Sequence, residues 1–363
     1  MFKKNHFTFS VFLLIQIILF SACSTGQYDI HLPSPQTHIG QMPAATQPQS
    51  QTVQPATSTP ELTSQFIPVK PMIATPTLEP YMDLSIQALQ KRTYGGGVLQ
   101  SEGLLDENPA FKRYQFKYRS DGLDLYGFLD EPVGAGPFPV IIMLHGAVDQ
   151  QTYQTKTYTV RYADALAESG FIVLNPNLRG YPPSEDKDND FGIGDTIDVL
   201  NLIALIRTQA GSVGILQKAD QNKIGLWGHS MGGGIVLRVL VIDPKIAAAV
   251  LYGSLNADER LNMAHFGNDG RRDKKIIVSS ASLEAISPVN YLEDINAPIS
   301  IHHGAADTVV PVQWSRDLCQ RLQTLRKQVE CYLYPDQPHT FQNSGDTLFI
   351  ERVSTFFKKY MQS

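Results

Sequence analysis

From residue 81 onward, continuous apolar runs alternate with stretches whose apolar residues recur at helical spacing. The runs FPVIIMLHG, FIVLNPN and AAAVLYG are typical of strands buried on both faces of a sheet. The stretches DTIDVLNLIALIRTQ and VQWSRDLCQRLQTLRK instead have helical periodicity. This alternation predicts a doubly wound α/β fold, in which helices cover a mostly parallel, eight-stranded sheet.

Two segments depart from this alternation. RYQFKYRS and LDLYGFLDEP have strand patterns on either side of Asp121 and Gly122, a dipeptide typical of tight hairpin turns, and they predict an antiparallel pair. Residues 255–288 are polar, include GNDGRRDKK and lie between two predicted strands. We interpret this insertion as a lid or pocket wall at the edge of the sheet, with a mobile surface loop as the alternative.

The first 22 residues have the layout of a secretory signal peptide. Lys3 and Lys4 precede an apolar run at residues 11–20, and small residues then lead to Cys23. The apolar run is short for a membrane-spanning helix. The closing FSAC resembles a bacterial lipobox, in which the cysteine becomes the lipidated N-terminus of the mature chain. We therefore expect an extracytoplasmic protein anchored to the membrane at Cys23, with an uncleaved anchor or a plain secreted form as alternatives.

Residues 23–80 separate this signal from the domain predicted at residues 81–363. They are rich in Pro, Thr, Gln and Ser and carry almost no charge. A segment of this composition buries too little apolar surface to offset its ordering entropy, so we expect a disordered tether. The 363-residue chain is 42% hydrophobic, which suits a sizeable core, and its net charge of -5 argues against nucleic acid as a partner.

If Cys23 carries lipid, Cys319 and Cys331 are the remaining cysteines. A disulfide between them is permitted outside the cytoplasm. Spacing along the chain does not show whether their Cα atoms approach closely enough to form it. A disulfide and two buried thiols both remain open at this stage.

The segment KIGLWGHSMGGGIVLRVL contains a serine among glycines, where a strand pattern becomes a helix pattern. Gly228, Ser230 and Gly232 fit the G-x-S-x-G motif, whose serine lies on a strained turn between a strand and a helix. Side chains at the two glycines would collide across such a turn. Gly233 and Gly234 allow the following helix to pack closely on the sheet. The motif predicts Ser230 as a nucleophile.

A serine hydroxyl needs an adjacent imidazole to become a good nucleophile at neutral pH. Asp307 follows the strand-like run PISIHHG, and His339 follows the run VECYLYP. Both loops are expected at the sheet edge where Ser230 lies. We therefore predict that His339 takes the proton of Ser230 and that Asp307 orients His339. Asp336, which precedes His339 in the same loop, is an alternative acid.

An oxyanion in this reaction needs hydrogen-bond donors. The backbone N–H groups of Met231, at the start of a helix, and of Ala147, in the loop after MLHG, are the predicted donors. We interpret His145 as a brace for that loop and His229 as part of the pocket floor. The other candidates are interpreted as structural residues: His302, His303, Asp198 and Asp294.

The globular part resembles the α/β-hydrolase superfamily, and in particular its prolyl-oligopeptidase-like (S9) and dienelactone-hydrolase-like branch. The resemblance depends on YRSDGLDLYGFLDEP, FPVIIMLHG, NLRGYPPSE, GLWGHSMGGG, SPVNYLEDINAPISIHHGAADTVVPV and YPDQPHTF. It implies Ser230, Asp307 and His339 as a catalytic triad. Full prolyl oligopeptidases also carry a β-propeller that gates peptides, which residues 23–80 cannot form.

These observations predict a serine hydrolase that cleaves a carboxylic ester or a short peptide through an acyl-enzyme on Ser230. An S9-type peptidase of short peptides is one alternative, and a non-catalytic lipoprotein that binds ligands on a hydrolase scaffold is another. We expect no metal or other cofactor, because the sequence has no metal-ligand cluster, dinucleotide fingerprint or phosphate loop. The sequence leaves the oligomeric state open.

Overall fold

The computed structural model describes residues 81–267 and 278–362. The predicted signal, the tether and Cys23 lie outside the described residues. Within the described part, a single sheet has the strand order β1-β2-β3-β5-β4-β6-β7-β8-β9. The strands are β1 (Gln100–Glu107), β2 (Phe111–Ser120), β3 (Leu123–Pro132), β4 (Phe138–Leu144), β5 (Ile172–Pro176), β6 (Ala219–His229), β7 (Ala248–Tyr252), β8 (Ile299–Gly304) and β9 (Val329–Tyr334).

The predicted α/β-hydrolase fold is confirmed, but the prediction of eight strands is wrong because the described sheet has nine. The unpredicted strand is β1, which pairs antiparallel with β2 at one edge of the sheet. All eight of its residues are exposed, so its sequence QSEGLLDE has no alternation of apolar and polar positions. An edge strand without a buried face leaves no hydrophobic pattern in the sequence.

Strands β4 to β9 form the parallel part of the sheet, in which neighbouring strands run in the same direction. Strand β3 pairs antiparallel with both of its neighbours, β2 and β5. The predicted hairpin is confirmed: Ser120 pairs with Leu123 across a two-residue turn. Both turn residues, Asp121 (φ 49) and Gly122 (φ +88), have the positive φ that this tight turn requires. Because the parallel strands run in the same direction, their carboxyl ends share one edge of the sheet.

Helices cover both faces of the sheet. They are α1 (Ile86–Lys91), α2 (Val160–Glu168), α3 (Ile193–Gln209), α4 (Met231–Ile242), α5 (Glu259–Phe266), α6 (Ser280–Ile286), α7 (Val312–Thr324) and α8 (Asn343–Met361). Helices α1, α3 and α4 contribute to one apolar core, whereas α2 and α8 pack on the other face around Trp227. None of the helices between residues 81 and 362 that the structure describes is long and apolar enough to cross a membrane.

The insertion at residues 255–288 contains α5 and α6, and its residues 268–277 lie outside the described part. Its first helix is anchored to the helix that follows Ser230. The guanidinium of Arg238 on α4 is buried and donates to Glu259 Oε1 on α5. It also donates to the carbonyl of Phe191 (3.0 Å). At the far end of α5, His265 Nε2 donates to the carbonyl of Val309 (3.1 Å). Helix α5 is therefore held near both of its ends.

Cys319 on α7 and Cys331 on β9 form a disulfide, with Cα atoms 6.4 Å apart. The sequence had left this pairing open. The bond joins the helix that follows the Asp307 loop to the strand that precedes the His339 loop.

Candidate active site

Ser230 occupies a sharp turn between β6 and α4. Its backbone has φ 55 and ψ -116, a combination that residues other than glycine rarely adopt. The turn is held by the N–H of Ser230, which donates to the Tyr252 carbonyl (2.9 Å), and by its carbonyl, which accepts from the N–H of Leu255 (3.1 Å). A Cβ on Gly228 would overlap the Gly232 backbone, and one on Gly232 would overlap the Leu144 carbonyl. This crowding explains why the sequence has glycine at both positions.

The loops that carry Asp307 and His339 follow the neighbouring strands β8 and β9, which pair parallel up to Gly304 and Tyr334. Two backbone hydrogen bonds join the loops: Ala305 N–H donates to the Tyr334 carbonyl (2.8 Å), and Ala306 N–H donates to the Gln337 carbonyl (3.1 Å). A Cβ on Gly304 would overlap the backbone of the second loop. This close approach brings the two loops together at one sheet edge.

Asp307 and His339 form a direct hydrogen bond, with 2.7 Å between Asp307 Oδ2 and His339 Nδ1. The carboxylate is fully buried, whereas the imidazole is 15% exposed. Burial alone would raise the pKa of Asp307, but hydrogen bonds from His303, His339 and the Val310 N–H together hold it well below its ordinary value. The carboxylate is therefore ionised at neutral pH, and Nε2 is the ring nitrogen of His339 that remains available.

The His339 imidazole lies beside the serine turn. Its ring is 4.7 Å from the ring of His229, the residue before Ser230. His229 Nε2 donates to the His339 carbonyl (3.1 Å), and burial followed by the charge of His339 lowers the pKa of His229 to about 3. Across residues 81–267 and 278–362, no hydrogen bond joins Ser230 Oγ to His339. Catalytic hydrogen bonds of this kind often tighten only when substrate binds.

The two predicted oxyanion donors come from the residue after Ser230 and from the loop after β4. Met231 is the first residue of α4, so its N–H has no acceptor within the helix. The loop after β4 passes close to the serine, because a Cβ on Gly146 would lie 3.1 Å from the Ser230 Cβ. Ala147, the next residue, is exposed. Met231 thus follows Ser230 directly, and Ala147 follows a glycine that closely approaches the Ser230 side chain.

His145 is buried beneath this loop rather than exposed in the cleft. Its Nδ1 donates to the carbonyl of Gly146 (2.8 Å), and burial lowers its pKa to about 4, so it is neutral at pH 7. The rings of Tyr153 and Tyr181 lie 5.0 and 4.5 Å from its ring. Tyr181 comes from the segment NLRGYPPSE, which contains a cis Pro182–Pro183 bond. These contacts make His145 a structural support of the loop.

A pocket of about 120 Å³ lies between the insertion and α7, and its lining does not include Ser230, Asp307 or His339. Leu255, whose N–H donates to the Ser230 carbonyl, is part of its wall. The pocket is lined by apolar and charged side chains, which include Leu255, Leu261, Trp314, Leu318, Asp258 and Arg321. Its volume is close to the roughly 150 Å³ of a cavity that holds benzene, so it can take a short aliphatic chain or a small ring.

The alternative acid Asp336 and the two other aspartates named from the sequence make no hydrogen bond to His339 in the described structure. Asp336 is exposed. Asp294 accepts from Gln90 Nε2 (2.9 Å) at the surface. Asp198 is buried and held by the Arg179 guanidinium at 2.8 Å. None of the three is part of the site at the carboxyl edge of the sheet.

Sequence reasoning missed two residues at this site. Tyr252, at the end of β7, accepts from the Phe341 N–H through its hydroxyl and stacks 4.3 Å from the ring of His229. His303, which was interpreted as structural, lies 3.0 Å from Asp307 Oδ2. The doublet His302-His303 before the Asp307 loop was the signal for the second, but nothing local shows which histidine faces the acid.

In the described residues, no group of three His, Cys, Asp or Glu side chains could hold a metal ion.

Among curated proteins, the chain is similar to the "Uncharacterized peptidase YtmA" of Bacillus subtilis (strain 168). The two are 23% identical over 252 residues, which cover 68% of this chain and 93% of the relative.

Two solved structures share the fold at low sequence identity. Acylaminoacyl peptidase of Pyrococcus horikoshii matches with a TM-score of 0.58 and 20% identity, over 70% of this chain and 42% of the peptidase. Acetyl xylan esterase 1 of Thermoanaerobacterium sp. JW/SL YS485 matches with a TM-score of 0.56 and 16% identity, over 78% of this chain and 94% of the esterase. The present chain thus spans less than half of the peptidase. At these identities the likeness shows the fold.

The matched family model covers most of β3, strands β4 to β9, the serine turn and both loops described above. It is the model of the dienelactone hydrolase family, it matches residues 125–360, and this α/β hydrolase therefore belongs to that family.

Proposed function

We propose that this hydrolase cleaves carboxylic esters or short peptides through an acyl-enzyme formed on Ser230. The observation that carries the proposal is the 2.7 Å hydrogen bond between Asp307 Oδ2 and His339 Nδ1, beside the strained turn at Ser230. Family membership supports hydrolytic chemistry. The order serine, acid, histidine along the chain is the order of α/β hydrolases that use such a triad.

In the proposed mechanism, Ser230 Oγ attacks the substrate carbonyl and its proton passes to His339 Nε2. Asp307 holds the other ring nitrogen and stabilises the imidazolium that forms. The backbone N–H groups of Met231 and Ala147 donate to the oxyanion of the tetrahedral intermediate. His339 then protonates the leaving alcohol or amine as the acyl-enzyme forms. Water releases the acid by the same steps in reverse, and Ser230 recovers its proton.

The pocket next to Leu255 is the proposed site for one substrate side chain, because the Leu255 N–H bonds to the Ser230 carbonyl. Its volume of about 120 Å³ fits one short or medium side chain. Its wall residues Leu255, Leu261, Trp314 and Leu318 favour an apolar group. Both a small ester and a short peptide with an apolar side chain meet this requirement.

The proposal is tested with p-nitrophenyl esters of increasing acyl length beside aminoacyl p-nitroanilides, together with a fluorophosphonate probe. We expect turnover of short-chain esters and stoichiometric labelling of Ser230. Anilide hydrolysis that exceeds ester hydrolysis would favour the peptidase alternative. The absence of both turnover and labelling would contradict the proposal and favour a ligand-binding protein on a hydrolase scaffold.

We further propose that the enzyme works outside the cytoplasm, tethered to the membrane through Cys23, which lies outside the described residues. The Cys319–Cys331 disulfide supports this, because disulfides persist in oxidising compartments. In cells that express the full chain, Cys23→Ala is expected to abolish lipid labelling and release the protein from the membrane fraction. The double variant Cys319→Ser/Cys331→Ser is the control that keeps the lipid. Equal membrane retention of Cys23→Ala and the parent would refute the anchor.

A further inference from the structure

The Asp307 carboxylate lies within hydrogen-bonding distance of four donors. Its Oδ1 accepts from the backbone N–H groups of Val309 (2.8 Å) and Val310 (2.9 Å). Its Oδ2 accepts from His339 Nδ1 (2.7 Å), and His303 Nε2 lies 3.0 Å from that same oxygen. The side chains of Asp307 and His303 are both fully buried. Two imidazoles therefore share a single carboxylate oxygen that water does not reach.

The surroundings of His303 determine which of its nitrogens carries the proton. Nε2 faces two acceptors, Asp307 Oδ2 at 3.0 Å and the Val310 carbonyl at 3.1 Å, so it must be the protonated nitrogen. Nδ1 lies 2.6 Å from the hydroxyl of Ser315, a buried residue on α7. In the neutral ring Nδ1 accepts from this hydroxyl, which fixes the tautomer with hydrogen on Nε2.

We propose that His303 is a positioning residue that competes with His339 for Asp307 Oδ2 and thereby weakens the hold of the carboxylate on the His339 ring. The proposal rests on the proposed function of Asp307 and His339. A second donor on the shared oxygen withdraws negative charge from it, so the carboxylate stabilises the His339 imidazolium less than it would alone. Ser315 acts through His303, because its hydroxyl bonds to Nδ1 and so keeps Nε2 directed at the carboxylate.

Few other charged groups face this carboxylate. His229 approaches from β6 and is neutral, since burial and then the His339 charge lower its pKa to about 3. From α5, His265 contacts the loop through the Val309 carbonyl and is exposed. Helix α7 contributes the uncharged Ser315 at this point. In the described residues, the only side chains within ion-pair distance of Asp307 are His303 and His339.

The proposal is tested by following the titration of the His339 ring by NMR in the full chain, which requires no turnover. His303→Leu removes the competing donor, and we expect the titration midpoint of His339 to move upward by about 0.5–1 pH unit. His303→Gln keeps an N–H at this position and is expected to restore the parent midpoint. The acid limb of the kcat/KM profile should move with the titration, because the imidazole must be neutral to accept a proton.

His302 provides a matched control on the same strand. It is equally buried, but its nitrogens face Ser300 (2.8 Å) and Tyr334 (2.9 Å) rather than Asp307. His302→Leu is therefore expected to lower stability and leave the His339 midpoint in place.

If His303→Leu fails to fold, Ser315→Ala is the variant that tests the proposal. Without the Ser315 hydroxyl, His303 Nε2 is no longer held towards the carboxylate, so the titration midpoint of His339 should still rise. An unchanged midpoint in the folded His303→Leu or Ser315→Ala variant would overturn the proposal, as would an equal shift in His302→Leu. A parent that hydrolyses nothing would refute the proposed function, while the titration would still report on His303.

Discussion

Ser230→Ala is expected to lower kcat for short-chain p-nitrophenyl esters by roughly 10⁶-fold, because nucleophile and base act as a unit and removing the nucleophile abolishes the acyl-enzyme route. The fold should be unaffected. Alanine keeps the Cβ of serine, so the strain of the turn at φ 55 is the same. In the described structure the Ser230 hydroxyl makes no hydrogen bond that the substitution would break.

The loss is measured by steady-state kinetics on protein whose circular dichroism and thermal midpoint match those of the parent. Ser300→Ala is the control, because Ser300 is also buried and its hydroxyl is hydrogen-bonded to His302 (2.8 Å) rather than to the Asp307–His339 pair. That variant is expected to retain activity and fluorophosphonate labelling. A Ser230→Ala protein that still hydrolyses esters at a tenth of the parent rate would place the nucleophile elsewhere.

Asp307→Asn is expected to lower kcat by about 10⁴-fold, as in the serine protease in which the equivalent change leaves the geometry intact. In the parent, His339 Nδ1 lies 2.7 Å from Asp307 Oδ2. In the variant, the NH₂ group of the amide takes the place of that oxygen and faces Nδ1. The ring must then accept at Nδ1 and carry its hydrogen on Nε2. Such a tautomer cannot take the proton of Ser230.

Asp336→Asn is the matched control for this prediction, because Asp336 is the competing acid of the same sequence region and is exposed. We expect it to have parent activity. If instead Asp336→Asn were the impaired variant and Asp307→Asn were active, the assignment of the acid would be reversed.

Asp307 should also contribute to the pH dependence of stability. Its hydrogen bonds depress its folded pKa below the unfolded value of about 3.9. Ionisation of this group therefore stabilises the folded state above that pH, and the contribution is lost as the pH falls towards the folded value. Chemical denaturation of the parent and of Asp307→Asn between pH 3 and 7 should show a steeper acid loss in the parent.

Local sequence was sufficient to predict the central strands of the sheet, but it failed to predict the edge strand β1. Runs such as FPVIIMLHG mark β4 because all of its residues after Phe138 are buried. Strand β1 is invisible to the same reasoning, since it is stabilised by backbone pairing with β2 and buries none of its side chains. Hydrophobic periodicity reports burial, and burial is what this strand lacks.

The site divides in the same way. The glycines around Ser230 were informative because a tight strand-turn-helix connection excludes side chains at Gly228 and Gly232, whatever the rest of the fold. The role inferred for His303 had no such signal. His302 and His303 are adjacent on one strand, and they face opposite sides of the sheet because alternate residues of a strand do so. Which side holds Asp307 depends on the loop and on Ser315 of α7.

The sequence by itself determined the alternation of strands and helices, the turn at Ser230 and the order in which serine, acid and histidine follow one another. These are properties of neighbouring residues, set by backbone sterics and by the period of apolar side chains. Only the tertiary structure decided that Asp307 and His339 meet, that His303 shares their oxygen and that Cys319 pairs with Cys331. These contacts depend on the pairing of β8 with β9 and on the packing of α7 against these strands. The local sequence pattern of a single segment encodes neither the pairing nor the packing.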